Sequence, residues 1–129
     1  MNQSIFQISI LVDDYDTAIK YYTASLGFEL VEDTKLTEEK RWVVVKPVGE
    51  GGIQLLLAKA SNEDQLKFVG NQSGGRVFLF LKTDNFWEDY HQMKLKNINF
   101  VRDPIEESYG IVAVFKDLYG NLWDFIQPK

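Results

Sequence analysis

Sliding the chain against itself by about 70 residues lays one half over the other, and a repeat of this kind restricts the fold more than any single motif. Tyr15, Ile19 and Tyr22 fall over Phe86, Tyr90 and Met93, and Gln54 falls over Asp124. In the first half, "QISILV" alternates as a strand and leads into "DDYDTAIKYYTASLGFEL", where Tyr15, Ala18, Ile19, Tyr22 and Leu26 recur at helical spacing. Asp13 or Asp14 is placed to cap that helix, and Gly27 to stop it. Three strand-like runs follow, "FELVEDTK", "KRWVVVKPV" and "IQLLLAKA". The second half repeats the order: "RVFLFLKT" is a strand, "DNFWEDYHQMKLK" a helix, and "INFVRD", "GIVAVFKD" and "NLWDFIQP" three more strands.

The fold class expected is therefore α+β, two tandem βαβββ modules at about 1–60 and 76–129 within a single domain, joined by a polar linker at about 61–75. In that linker, Leu66, Phe68 and Val69 are expected to dock a short turn against the core. Each module has a helix on one face of its sheet only, so the two uncovered faces are expected to curve around a shared cavity.

Composition narrows the chemistry. With 129 residues, 45% hydrophobic and 14% aromatic, the chain suffices for one core. No apolar run approaches the ~20 residues of a membrane span, and "MNQSIFQISILVDD" lacks a signal peptide's basic flank, so a cytoplasmic protein with no membrane partner is expected. There are no cysteines, which excludes disulfides and thiolate chemistry. The charge of −5, without a Lys/Arg cluster, argues against nucleic acid and mildly favours cationic or neutral partners.

Period-two alternation sorts the strand faces. Ile8, Ile10 and Val12 should lie under the first helix, with Gln7, Ser9 and Leu11 toward the cavity; Ile53, Leu55 and Leu57 oppose Gln54 and Leu56. Val77, Leu79 and Leu81 oppose Phe78 and Phe80, while Trp123 and Phe125 oppose Leu122, Asp124 and Ile126. The cavity set is mostly apolar with a few hydrogen-bonding groups, as in a small-molecule pocket. Gln7, Ser9 and Gln54 are candidates to orient a ligand, Phe78 and Phe80 to stack on a ring, and Asp124 to pair with a cation or take a proton. Two alternatives stay open: Phe78 and Phe80 fill the cavity as core, or Asp124 simply hydrogen-bonds to a neighbouring strand or water. The turn from Asp117 to Asn121 is read as structural, with Asp117 bonding its own turn amides. His91 is read as a solvent-facing helix residue, and Trp87 as a mark of a subunit contact.

"VDDYDTAIKYYTASLGFEL" and "SYGIVAVFKDLYGNLWDFIQ" resemble the paired signatures of the vicinal oxygen chelate superfamily, which includes glyoxalase I, extradiol dioxygenases and bleomycin-resistance proteins. The resemblance covers essentially the whole chain and implies the glyoxalase/bleomycin-resistance fold. In metal-dependent members, it implies ligands at positions that fall here on Gln7, Gln54, Phe78 and Asp124. One carboxylate, two amides and a benzene ring do not make a transition-metal site, so no metal and no cofactor are expected. The resemblance also puts Trp42 and Tyr109 near the pocket rim, as aromatic anchors or as surface packing.

The resulting expectation is a metal-independent small-molecule binding protein of the bleomycin-resistance type, sequestering a drug or metabolite as a homodimer. Its ligand would be a small organic molecule, cationic or aromatic. The alternatives are an isomerase or lyase acting on a small carbonyl compound, with Asp124 as general acid/base, and a non-catalytic regulatory domain with a filled cavity. An enzyme would also need a positive charge, for which Arg41 and Lys82 are the candidates.

Overall fold

The computed structural model describes residues 1–129. The chain is α+β, with two mixed four-stranded sheets in the strand orders β1-β4-β3-β2 and β5-β8-β7-β6, neither of them closed. It divides into two compact units, Met1–Val69 and Gly70–Lys129.

The first unit holds β1 (Gln7–Val12), α1 (Tyr15–Lys20), β2 (Glu29–Lys35), β3 (Arg41–Lys46), β4 (Gln54–Lys59) and α2 (Glu63–Leu66). β1 runs parallel to β4, and α1 lies in the connection such a pair needs. Asp14 caps α1: its carboxylate accepts from the Thr17 amide at 2.8 Å and the Thr17 hydroxyl at 2.7 Å, and these bonds hold its pKa below the ordinary value. After Lys20 the helix widens into a π-helical turn, Tyr21–Ser25, before Gly27 ends it at φ 80. As the alternation predicts, Ile10, Val12, Leu55 and Leu57 are buried and Ser9 is exposed.

Arg41 ties the β2–β3 hairpin together and holds it to α1. Its guanidinium donates to Asp33 at 3.0 and 2.7 Å and to Asp16 at 2.9 Å, and lies 5.2 Å from the centre of the Tyr15 ring. Leu66 and Phe68 do not dock as expected. They are 50% and 52% exposed, because α2 is a single turn with no buried residue.

The second unit holds β5 (Val77–Lys82), α3 (Phe86–Leu95), β6 (Asn99–Glu107), β7 (Gly110–Lys116) and β8 (Leu122–Pro128). Its core is aromatic. Phe86 of α3 packs on Phe125 at 5.0 Å, Phe115 stacks on Trp123 at 5.6 Å, and Phe100 meets Phe115 edge-on at 5.7 Å. Such ring pairs add about 0.5–1.5 kcal/mol each beyond area burial. α3 starts without a side-chain cap at Asn85; instead Gln127 of β8 accepts from the Phe86 amide at 2.7 Å.

Asp117 is the polar centre of this unit. One carboxylate oxygen accepts from the amides of Tyr119, Gly120 and Asn121 at 3.0–3.1 Å. The other accepts from the Asn121 side chain at 3.0 Å and the Trp123 indole at 3.1 Å. The Asn121 side-chain oxygen Oδ1 in turn accepts from the Gln72 backbone amide at 3.1 Å. Gly70 packs so closely on this turn that an added Cβ would sit 1.9 Å from the Tyr119 carbonyl oxygen. Asp117→Ala strands several buried donors and should lower stability by about 3 kcal/mol or more. Urea denaturation should show this against Asp64→Ala, whose exposed pair with Lys67 predicts a change within about 0.5 kcal/mol; equal midpoints would overturn the assignment.

Candidate functional site

Four side chains form one row across the sheet of the second unit. Phe80 of β5 is in register with Asp124 of β8, Asp124 with Val114 of β7, and Val114 with Arg102 of β6. In-register neighbours project to the same face of a pleated sheet. α3 packs on the other face, through Phe125. Asp124 therefore lies on the face that α3 leaves uncovered, as alternation along β8 predicts. Two strand spacings, about 10 Å, separate the backbones of Asp124 and Arg102.

The row is chemically unusual for a sheet surface. Asp124 is partly buried, and no hydrogen bond contributes to its electrostatics. Burial raises its carboxyl above the ordinary value, and the positive charge of Arg102 opposes that rise. Neither residue belongs to an ion pair; those present join Lys35 to Glu38, Arg41 to Asp16 and Asp33, and Lys67 to Asp64. Phe80 is 68% exposed within the chain, so it does not act as core there. Val114, at 7% exposure, forms an apolar floor between the two charges.

The equivalent row of the first unit is Ser9, Leu56, Val44 and Glu32. Glu32 and Val44 map onto Arg102 and Val114 at the repeat's spacing of about 70 residues. By register, the counterpart of Asp124 is Leu56, whereas the sequence slide places Gln54 over it. Gln7 and Gln54 are direct neighbours two residues further along, both partly buried.

The remaining candidates are more scattered. The β5–β8 register slips between Val77↔Leu122 and Leu79↔Trp123, which leaves Phe78 without a partner and sets Val77 opposite Leu122 instead of in the row of Leu79. Trp42 is partly buried on β3 opposite Thr34, two residues from Val44. Tyr109, 55% exposed, sits at the tip of the β6–β7 hairpin; four residues of β7, about 13 Å, separate that end from the Asp124 row. Of the expected cations, Arg41 is committed to Asp33 and Asp16, and Lys82 is exposed opposite Ile126. Arg102 was not among the residues the sequence singled out. Its place depends on register shifts on either side of it in β6, which alternation does not foresee.

The donor set does not suit a metal. Gln7 and Gln54 offer neutral amides, Phe78 offers no donor atom, and no group of three or more His, Cys, Asp or Glu side chains is placed so that it could hold a metal ion.

A family model described as Glyoxalase/Bleomycin resistance protein/Dioxygenase superfamily matches residues 4–125. The chain belongs to this superfamily. The paired signatures quoted above thus resemble it for good reason. Among superfamily relatives, an uncharacterized protein of Shewanella frigidimarina (strain NCIMB 400) is 59% identical over 98% of this chain and 95% of its own length. YurT of Bacillus subtilis (strain 168) is 31% identical over 92% of this chain and 94% of its own. Among solved structures, UcmS2 superposes with a TM-score of 0.84 at 27% identity, covering 98% of both chains. TnmS3, an antibiotic binding protein from Streptomyces sp. CB03234, superposes at 0.78 with 23% identity over 99% of this chain and 98% of that one, a likeness of fold.

The raised pKa of Asp124 has a direct consequence for stability. The folded state binds its proton more tightly than the unfolded state, so the group favours folding at low pH and loses that contribution as pH rises through the folded pKa. At neutral pH the ionised, unpartnered carboxylate is a liability. Asp124→Asn should therefore raise the melting temperature at pH 7, and the gain should shrink toward zero below about pH 4. Melting curves across that range check this; a variant less stable at pH 7 would reveal a partner for the carboxylate.

Proposed function

We propose that the protein binds a small organic molecule over the uncovered sheet face carrying Phe80, Asp124 and Val114, without a metal, and sequesters it. The observation that carries this reading is the unpartnered, partly buried Asp124 beside an exposed ring. A protein keeps a desolvated carboxylate without hydrogen bonds at a cost in stability, and the residues that bear such costs concentrate where ligands bind. Gln7, Ser9, Gln54, Trp42, Phe78 and Tyr109 are assigned to the same binding role as polar and aromatic contacts. TnmS3 shows that this fold serves antibiotic binding in another protein, an analogy at the level of fold. The reading includes a cytoplasmic homodimer, for which the 46% exposed Trp87 on α3 is one supporting feature.

A second reading is favoured by one specific observation. Arg102 stands across the face from Asp124, where an isomerase or lyase acting on a carbonyl compound would need positive charge for a developing oxyanion. Asp124 would then be the general acid/base.

Both readings predict that Phe80→Ala weakens ligand binding by about tenfold, the worth of one aromatic contact, while leaving the melting temperature of the free protein nearly unchanged because Phe80 is exposed. Titration of ligands found by a thermal-shift screen of aromatic compounds measures the first, and melting curves the second. Asp124→Asn separates the readings: sequestration predicts altered binding with no turnover in either protein, and catalysis predicts retained binding with turnover lost. If neither variant changes binding or turnover, the face is not the site.

A further inference from the structure

We infer that Arg102 sets the ligand class: the row Phe80, Asp124, Val114, Arg102 selects planar aromatic acids, with the acid group at Arg102 and a hydrogen-bond donor at Asp124. The inference rests on the binding reading above and reverses its expectation of a cationic ligand. That expectation came from the net charge of −5, a property of the whole surface, and from Asp124 taken alone as a partner for a cation. The row is local, and its order is fixed by strand register.

Each position asks for a different group. Arg102 is exposed, belongs to no ion pair and presents a planar fork of donors, which suits a carboxylate or sulfonate held by paired hydrogen bonds. Asp124 has acceptor oxygens and no donor supplied by the chain, so it asks for a hydroxyl or N–H. Between them, Val114 offers a flat apolar floor with no polar side-chain atom, and Phe80 on the far side of Asp124 offers a ring face. A flexible aliphatic acid would satisfy the charges and leave the exposed Phe80 ring without a flat partner. A planar ring carrying a donor and an acid at opposite ends spans the two strand spacings, about 10 Å, over Val114, and brings its donor end beside Phe80, the next neighbour of Asp124 in the row. Asp124 and Arg102 form no ion pair with each other, so both keep hydrogen-bonding capacity that a bridging ligand can use.

The first unit supplies an internal contrast. Its equivalent row ends in Glu32, which accepts from the Thr34 hydroxyl at 3.0 Å, and has Leu56 in place of Asp124 and Ser9 in place of Phe80. That row has no free cation and no aromatic wall, so the acid selectivity is assigned to the second unit alone.

The test uses three probes of one ring system: 6-hydroxy-2-naphthoate, its methyl ester, and 2-naphthoate, each titrated into the full-length protein and followed by calorimetry. The hydroxy acid is expected to bind at least about tenfold more tightly than the ester, the worth of a charge-assisted hydrogen bond, and more tightly than 2-naphthoate. Arg102→Gln should bring the acid-to-ester affinity ratio down to about one while keeping the melting temperature, because Arg102 is exposed and in no ion pair. Arg102→Lys, which keeps the charge and loses the fork, should restore part of the preference for the acid. Equal binding of acid and ester by the wild type, or a preference that survives Arg102→Gln, overturns the role of Arg102 and leaves the binding site standing. If none of the three probes binds, or if Phe80→Ala leaves their binding unchanged, the binding reading at this face falls together with the inference.

Discussion

The second unit is organised by a single buried carboxylate. Asp117 gathers five hydrogen bonds from the residues that follow it, and with both of its oxygens engaged it fixes the turn that reverses β7 into β8. A hairpin's register is set by its turn. Because Asp117 also holds the Trp123 indole, it fixes which face of β8 turns toward α3, and a one-residue slip would exchange Trp123 and Phe125 for Asp124. The partly buried Asp124 is thus positioned by a residue that does not itself reach the uncovered face.

That division of labour explains why two aspartates seven positions apart differ so much. Asp117 is buried and fully engaged, and its conformation has no freedom to respond to a ligand. Asp124 is less buried and has no donor from the chain, so its energy depends on what reaches the sheet face from outside. The stability spent on desolvating Asp124 is secured by the turn beside it, and by the aromatic packing of Phe115, Trp123 and Phe125 behind it.

The elements were legible because their signals are local. The Asp14 cap, the Gly27 stop, the buried face of Ile10 and Val12, and the turn at Asp117 each follow from residues within a few positions of one another. The α+β class and the repeated module follow from the order of these elements. Three features depend on more than local pattern. Leu66 and Phe68 carry the composition of a docking turn, but α2 is too short to present a face. Val77 leaves the row that alternation gives it because β5 slips against β8. Arg102 joins Asp124 because β6 shifts against β7 on both sides of it, and such shifts come from pairing between strands, which no window of sequence contains.

Comparison of the two repeats adds a constraint on what kind of site this is. Rows at equivalent register share their valine, Val44 and Val114, and differ at every other place: Ser9 for Phe80, Leu56 for Asp124, Glu32 for Arg102. The shared valine is explained by packing, since both are buried at the centre of a sheet and any β-branched aliphatic of that volume would serve. The other three pairs are not fixed by burial in the same way: Ser9, Glu32, Phe80 and Arg102 are exposed, and Leu56 and Asp124 are only partly buried. The differences are of charge and aromaticity, the two properties by which a surface distinguishes one small molecule from another. What separates the halves is therefore charge and aromaticity laid over a common frame, and within the second unit these differences fall on residues whose positions are set by Asp117 and by the bulged edge of β6.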